Sequence, residues 1–375
     1  MRDEVYIVGD QVISPLGMSS ESNFRALQSG HTAIAAVMDA HLCNHTIHAA
    51  RIDETPWNHL VKDASHYTRL ERLFILVLQR LIDAHDIPMD KETLVILSTT
   101  KGNIGLLGDP RSTFPRDRTN LTAMAEVIRR YFGFENPFIP ISNACISGSL
   151  AISVARRLLR YDSRYKRAIV VGGDELSKFI VSGFDAFQAL ADGPCRPFDR
   201  DRKGLNLGEA FAAVYLSTTP VRGAVKLMGV GSFNDANHIS GPSRTGEGLY
   251  LSIREAMREA GDITPDFISA HGTATLYNDE MEAIAFQRCS LSAVPLHSLK
   301  GYFGHTLGAC GLLETVMAIH SLKNNELIPS LGFAHQGTSH ALNIITQPTK
   351  RPLNTFLKTA SGFGGCNIAT IIKKM

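Results

Sequence analysis

The sequence lacks the features that mark several large classes of protein. Its six cysteines form no Cys-x-x-Cys pair and no spacing typical of zinc ligands, so we expect reduced thiols rather than a disulfide framework or a metal site. A formal net charge of +2 is far from the basic excess of nucleic-acid-binding proteins. No apolar run is long enough to span a bilayer, and no signal-peptide segment follows Met1. These absences favour a cytoplasmic enzyme with no nucleic-acid partner and no membrane span.

Strand-like and helix-like segments alternate along the chain. The 375 residues, 44% of them hydrophobic, are enough to bury a large core, and the alternation indicates a layered α/β fold. The pattern restarts midway, because the helix predicted over residues 246–260 resembles the one predicted over 68–84. We therefore predict two similar halves, residues 1–222 and 223–375, that share one packed core.

Cys145 lies where an apolar strand, residues 137–141, turns into an amphipathic helix, residues 150–160. The positive end of a helix dipole favours a thiolate over a thiol, and a tight turn would lift the sulfur clear of the sheet as in a nucleophile elbow. A small buried hydrophobic residue is the alternative interpretation. This segment alone does not decide between the two.

Two histidines lie in segments that suit a site at the sheet's edge. His271 directly follows a buried strand, where open α/β sheets place their ligands. Asn278 and Asp279, further along, suit the N-cap of the next helix. Lys300 and His305 flank a glycine-rich turn before another helix. For His271 alone a structural role is favoured over catalysis, and the alternative for the second segment is tight packing with Lys300 at the surface.

Glycines recur in the last two segments of interest. Gly304, Gly308 and Gly311 follow a near-helical spacing, so one face of that helix should lie close to another backbone. Residues 362–367 read GFGGCN, and their glycines permit positive φ and expose backbone N–H groups. Such groups are able to form an oxyanion hole, although a glycine-rich turn is weak evidence by itself.

Together these segments carry a resemblance to a known family. The motifs NACISG at 143–148, HGTATLYND at 271–279, KGYFGHTLGACG at 300–311 and GFGG at 362–365 resemble the elongating β-ketoacyl-acyl carrier protein synthases. The resemblance extends over nearly the whole chain and includes RPFDRDRKG at 196–204. It implies the fold of thiolases, in which two similar halves form a five-layered α-β-α-β-α sandwich and two chains usually form a dimer.

The resemblance also implies roles for individual residues. Cys145 would accept the acyl chain, and His271 and His305 would stabilise the enolate formed when malonyl-acyl carrier protein loses CO2. The backbone N–H groups of Cys145 and Phe363 would form the oxyanion hole, and no cofactor is required. Supporting positions are implied for four further residues: Lys300, Glu314, Thr273 and Thr275. The side chain of Phe363 would either gate the acyl chain or pack in the core.

Partners follow from the same resemblance. An acidic carrier protein predicts a basic docking patch, for which the matching residues are Arg69, Arg72, Arg129 and Arg130. A homodimer is expected, and a heterodimer with a related synthase stays open. Residues 102–118, which include Arg111, are shorter than in the family, and Cys310 and Cys366 depart from its usual residues. This divergence suggests a specialised lipid or polyketide pathway.

Two other functions compete with the condensing enzyme. One is a non-catalytic partner subunit resembling a chain-length factor, which the presence of Cys145, His271 and His305 disfavours. The other is a thiolase or acyltransferase acting on CoA esters. A histidine at both positions favours the elongating synthase, because the resemblance gives chain-starting enzymes a Cys/His/Asn set and thiolases a Cys/His/Cys set.

Overall fold

The protein was studied as a computed structural model that describes residues 4–54, 57–110, 112–236 and 239–375. Arg111, in the shortened stretch, lies outside the described residues. All six cysteines are described, and all are free thiols. Within the described ranges, no helix combines the length and apolar character needed to cross a membrane.

The first half contains eight strands and five helices among its described residues. The strands are β1 (Tyr6–Ile13), β2 (Ala35–Val37), β3 (Ile47–Ala50), β4 (Thr93–Ser98), β5 (Ile139–Ile141), β6 (Arg167–Asp174), β7 (Leu207–Gly208) and β8 (Ala210–Ser217). The helices are α1 (Ser20–Gln28), α2 (Arg69–His85), α3 (Leu121–Phe132), α4 (Ser147–Tyr161) and α5 (Lys178–Ala186).

The second half repeats this alternation. Its strands are β9 (Val225–Asn234), β10 (Phe267–Ser269), β11 (Leu296–His297), β12 (Glu326–Leu327), β13 (Thr349–Lys350), β14 (Thr355–Gly362) and β15 (Cys366–Lys374). Its helices are α6 (Glu247–Glu259), α7 (Leu276–Arg288), α8 (Lys300–Phe303) and α9 (Cys310–Asn324).

The two halves have the same strand topology. The first orders its main strands β5-β4-β6-β8-β1 and the second orders them β11-β10-β14-β15-β9, so that β1 and β9 meet in one continuous ten-stranded sheet. In each half the first three strands are parallel and the last two are antiparallel to their neighbours. Only Tyr6 and Ile7 of β1 pair with β9. The boundary between residues 222 and 223 stays a prediction.

Helices occupy three layers around the two halves of the sheet. α4 and α9 pack against each other, and each contacts strands of both halves, whereas α2 covers the first half and α6 the second. A helix between two sheets must be apolar all round, and nearly every residue of α9 is buried. α2 instead has one apolar face and begins with a capping box between Thr68 and Glu71. These layers confirm the predicted five-layered arrangement.

The two central helices touch at glycines. A Cβ atom on Gly148 of α4 would lie 2.9 Å from the carbonyl oxygen of Gly308 and 2.9 Å from the backbone nitrogen of Leu312. A Cβ atom on Gly311 would lie 2.8 Å from the backbone nitrogen of Ser149. The close backbone contact predicted from the glycine spacing is therefore present. It holds the N-terminal ends of α4 and α9 together.

Candidate active site

Cys145 lies in the turn between β5 and α4. Ala144 has a φ of 44°, and the Ser147 hydroxyl accepts a hydrogen bond from the Asn143 backbone nitrogen at 2.8 Å and donates one to the Ala144 carbonyl at 2.7 Å. This tight turn places Cys145 just before the first residue of α4, with only 7% of its surface exposed. The predicted strand-to-helix bend is present.

The two histidines converge on this turn from the second half. His271 follows the end of β10, and His305 lies between α8 and α9, with 5.2 Å between the ring centroids. The backbone N–H of Leu307 donates to Nδ1 of His305 at 3.3 Å. Because Nδ1 accepts this bond, a neutral His305 carries its proton on Nε2 and presents that nitrogen as a donor.

The reactive atoms of the three residues form one cluster. The Cys145 sulfur and one ring nitrogen of each histidine all lie within 4.8 Å of one another. Burial lowers the pKa of both histidines well below the usual value, and the positive charge of Lys300 lowers it further. Both rings are therefore neutral near pH 7, and each has one N–H to donate.

Burial has the opposite consequence for Cys145. It raises the pKa of the thiol, as do the neighbouring thiols of Cys310 and Cys366, whereas Lys300 and the backbone N–H of Phe363 act to lower it. The helix dipole that favours a thiolate is thus opposed by desolvation. We expect a protonated thiol in the resting site, contrary to the thiolate expected from the sequence.

The turn between β14 and β15 covers the sulfur. Its Gly364 and Gly365 have φ of 85° and 76°, and the Phe363 backbone N–H acts to lower the pKa of the Cys145 thiol. The Phe363 ring is 39% exposed and stacks on Phe184 with 5.7 Å between centroids. This ring lies at the edge of the site and not in the core. Its gating role stays a prediction.

A buried charge cluster supports the histidines from below. The Lys300 ammonium donates to the carbonyl oxygen of His271 at 3.0 Å and to the Glu314 carboxylate. The other carboxylate oxygen accepts from Lys358 at 2.5 Å. The structure thus brings together the two predicted supporting residues and adds Lys358, which the sequence analysis did not identify. A single lysine in an otherwise uncharged strand was the available signal.

Two acidic residues of α7 organise the loop that carries His271. Glu282 accepts hydrogen bonds from the backbone nitrogens of His271 at 2.8 Å and Gly272 at 2.6 Å, and burial raises its pKa to about 7. Asp279 accepts from the backbone nitrogen of Phe198 at 2.7 Å. The predicted N-cap role of Asn278 and Asp279 is wrong, because α7 begins at Leu276 and both lie inside it. Asp279 instead accepts from the Ala274 backbone nitrogen in the preceding loop at 3.2 Å, and Asn278 donates to the carboxylates of Asp279 and Glu282.

A cavity of about 380 Å³ leads to the three reactive residues. Thr273 and Thr275 line it beyond the histidines, and their hydroxyl oxygens lie 2.9 Å apart. Exposed apolar side chains also line the cavity: Phe187, Ile239, Leu276 and Tyr277. An apolar cavity with a few convergent polar groups suits an organic substrate that reaches in from the surface.

The four predicted docking arginines are not equally available. Arg69 is bound by Glu209 at 2.8 Å and Glu175 at 3.2 Å, with 16% of its side chain exposed. Arg72 is equally buried and lies over the ring of Trp57. The charges of these two arginines serve internal contacts, and their docking role stays a prediction. Arg129 is 25% and Arg130 74% exposed, both paired with Glu126, and their docking role stays a prediction.

The donor set at this site suits hydrogen bonding to a substrate better than it suits a metal. A thiolate and two imidazoles at this spacing are chemically able to bind zinc. However, Nδ1 of His305 already accepts from Leu307, which leaves its Nε2 protonated and without a lone pair to give. His305 is therefore arranged as a donor to an oxygen atom.

The site combines a nucleophilic thiol, two neutral imidazole donors and a backbone N–H at the end of an apolar cavity. This combination is that of a thioester-condensing enzyme of thiolase-like fold. Family models described as "Beta-ketoacyl synthase, N-terminal domain" and "Beta-ketoacyl synthase, C-terminal domain" match residues 2–220 and 224–334. The chain belongs to the β-ketoacyl synthase family.

Individual relatives agree with this assignment. The chain is 32% identical to 3-oxoacyl-[acyl-carrier-protein] synthase 2 of Rhizobium meliloti (strain 1021), over 62% of this chain and 60% of that relative's length. It is 27% identical to the Vibrio cholerae protein of the same name, over 100% of both. A chain of the solved complex of the ketosynthase ApeO with its chain length factor ApeC, from Xenorhabdus doucetiae, matches with a TM-score of 0.87 and 25% identity, over 99% of this chain and 98% of that chain.

Proposed function

We propose that this enzyme joins a Cys145-bound acyl chain to malonyl-acyl carrier protein with loss of CO2, giving a β-ketoacyl-acyl carrier protein two carbons longer. The observation that carries the proposal is the cluster of Cys145, His271 and His305, whose reactive atoms lie within 4.8 Å of one another. The cluster lines a cavity with exposed side chains at its outer part, through which a carrier-bound chain would enter.

The first step transfers the acyl group to Cys145. The sulfur attacks the thioester carbonyl carbon of the acyl-carrier protein, and the bond to the carrier's sulfur breaks as the carrier leaves as a thiol. The thiol proton of Cys145 balances the leaving thiolate. The Phe363 N–H, which acts on the sulfur in the resting site, would stabilise the intermediate oxyanion together with the Cys145 N–H.

The second step uses the two histidines. The bond between the malonyl methylene carbon and its carboxylate breaks, CO2 departs, and the electron pair forms an enolate whose oxygen accepts hydrogen bonds from His271 and His305. The enolate carbon attacks the Cys145 thioester, the new carbon–carbon bond forms, and the freed cysteine takes up a proton. Losing one such donor typically lowers the rate by roughly 10²–10³-fold.

The proposal includes the partners. The names of the Rhizobium and Vibrio relatives support an acyl carrier protein as the substrate carrier, and the ApeO–ApeC complex supports pairing with a second synthase-like chain. We propose a homodimer, with a heterodimer as the alternative. A cytoplasmic location accords with six free thiols.

Intact-mass spectrometry with acyl- and malonyl-carrier protein tests the proposal. The wild type should form an acyl adduct and then release CO2 and the β-ketoacyl product. Cys145→Ala should form no adduct, and His305→Ala should form the adduct but condense roughly 10²–10³-fold more slowly. His41→Ala, an exposed histidine, serves as the control and should match the wild type.

The absence of an adduct with every acyl donor would refute the proposal and favour a non-catalytic partner subunit. Condensation of CoA esters without malonyl-carrier protein would instead favour a thiolase.

A further inference from the structure

Lys358 is a fully buried lysine that the mechanism above does not use. It lies in β14, in register with Ser269 of the parallel neighbour β10, and 1% of its surface is exposed. Alternate residues of a strand share a face, and Phe356, two positions earlier, belongs to the central core around α9. Lys358 therefore points from the sheet towards the central helices, into the layer that holds both histidines.

The contacts of Lys358 end at the histidine loop. Its ammonium donates to Glu314 Oε2 at 2.5 Å and to the carbonyl oxygens of Thr359 at 2.8 Å, Ser269 at 3.2 Å and Ala270 at 3.3 Å. Lys300 donates to the next carbonyl, that of His271, at 3.0 Å. The two lysines together bind three successive carbonyl oxygens and so fix the end of β10 from which His271 projects.

The charges of this cluster do not cancel. Lys300 and Lys358 contribute two positive charges and Glu314 one negative charge, which leaves a net charge of +1. Isolated buried charges are costly unless paired, and a single carboxylate shared by two ammonium groups leaves one positive charge to act on its surroundings. Both lysines lower the pKa of His271 and of His305.

Other titratable groups surround the two rings. They are the thiols Cys145, Cys310 and Cys366, the carboxyl groups Asp174, Asp235, Asp279 and Glu282, and the ammonium group of Lys203 at the cavity. The four carboxylates accept hydrogen bonds from backbone N–H groups. Burial raises the pKa of Asp279 to about 6 and of Glu282 to about 7. These groups are unchanged in the variants below, so differences between variants report on the lysine cluster.

We propose that Lys358 is a positioning residue for the decarboxylation step, fixing the strand end that carries His271 and supplying an excess positive charge that acts with burial to keep both imidazoles neutral and that favours the enolate. This role rests on the proposed condensing function. It concerns only the second step, because acyl transfer to Cys145 requires the backbone oxyanion hole and not the histidine donors.

Charge variants test the proposal through the pH dependence of malonyl-carrier protein decarboxylation. Lys358→Met reduces the net charge of the cluster from +1 to 0, Glu314→Gln increases it to +2, and the double variant returns it to +1. The acid limb of the profile is the loss of rate at low pH, where the histidines become protonated. Because Lys358→Met removes a positive charge that lowers their pKa, we expect this limb to move up by about one pH unit or more. Glu314→Gln should not move it up, and the double variant should restore the wild-type position.

The same variants should affect the two steps, acylation of Cys145 and decarboxylation of the malonyl group, to different extents. Lys358→Met should acylate Cys145 at close to the wild-type rate while decarboxylating at least about tenfold more slowly at the wild-type optimum. Lys358→Gln, which retains a donor but no charge, gives the same charge comparison if the methionine variant does not fold. Because its amide still donates hydrogen bonds, Lys358→Gln should also hold the end of β10 in place better than Lys358→Met does.

The outcomes distinguish this inference from the proposed function. If the wild type does not decarboxylate malonyl-carrier protein, the condensing function and this inference both fail. If the wild type is active but the acid limb stays in place in Lys358→Met and Lys358→Gln, or the double variant follows Lys358→Met, then Lys358 has only a structural role and the inference is overturned.

Discussion

At the scale of single residues, the reactivity of Cys145 is a balance of two opposing effects. The N-terminus of α4 favours the thiolate, whereas burial favours the thiol and raises its pKa. A helix dipole is worth up to about 2 kcal/mol, and desolvation of a fully buried group shifts its pKa by up to about 3–5 units. We therefore expect desolvation to dominate until a substrate enters.

This balance predicts the pH dependence of Cys145 alkylation. Because the folded pKa is raised, the thiolate fraction near neutrality is small and increases with pH. The rate of reaction with iodoacetamide should rise by about tenfold per unit between about pH 7 and pH 9. Mass spectrometry of the Cys145 peptide measures it, with the more exposed Cys43 as the internal reference. A rate that levels off below about pH 8 would show that the helix dipole dominates.

Residue types and their order in the chain were sufficient to predict Cys145, His271, His305, Lys300 and Glu314 as one set. The contacts that a residue makes with segments far away in the sequence were not predictable in this way. Arg69 occupies the expected position on α2, but Glu175 and Glu209, more than a hundred residues later, bury its charge. Lys358 was missed for a related reason, since its partner Glu314 approaches from a different element.

At the scale of secondary structure, the active site depends on how closely α4 and α9 approach. Cys145 precedes the first helix and His305 precedes the second, so a shift between the helices changes the distance between sulfur and imidazole. The glycine spacing in the sequence predicted this contact. The start of α7 was placed too late, because Asn278 and Asp279 have the chemistry of helix caps, but Asp279 accepts from the backbone nitrogen of Phe198 and Asn278 donates to the Glu282 carboxylate.

Gly148→Ala tests the dependence on helix spacing. Its Cβ atom would lie 2.9 Å from two backbone atoms of the α9 region, so the helices must separate, and we expect unfolding free energy to fall by about 1–3 kcal/mol. Condensing activity should fall as well. In the control Gly183→Ala, the added Cβ has no neighbour within 4 Å, and stability should be equal or up to about 1 kcal/mol higher. A fully active and stable Gly148→Ala enzyme would contradict this account.

At the scale of the whole molecule, the duplicated topology was predictable because each half repeats the same succession of strand and helix patterns. The pairing of β1 with β9, which joins the two halves into one sheet, was not predictable. Only two residues of β1 pair with β9, and backbone hydrogen bonds of this kind have no signature in hydrophobic periodicity. The central layer, in contrast, is evident from α9, which is mostly apolar and is buried on nearly every side.

A single chain leaves two features of the first half without a partner among its described residues. β5 is the last strand of the sheet and pairs on one side only, with β4. Leu107 and Phe179, 58% and 57% exposed, lie on two elements that contact each other, the 3₁₀ turn Ile104–Leu107 and helix α5, and we call these two side chains the apolar patch. Open strand edges and exposed apolar patches are typical of protein interfaces.

We therefore expect a dimer in which this patch is buried. Burying an unpaired charge there costs at least about 2 kcal/mol, so Leu107→Lys with Phe179→Lys should raise the dimer Kd by about 30-fold or more. Light scattering after size-exclusion chromatography measures it. Val221→Lys, at a residue 51% exposed in the loop between the halves, is the matched control and should stay dimeric. A monomeric wild type with full condensing activity would show that β5 and the patch need no partner, and a double variant that remains dimeric would place the interface elsewhere.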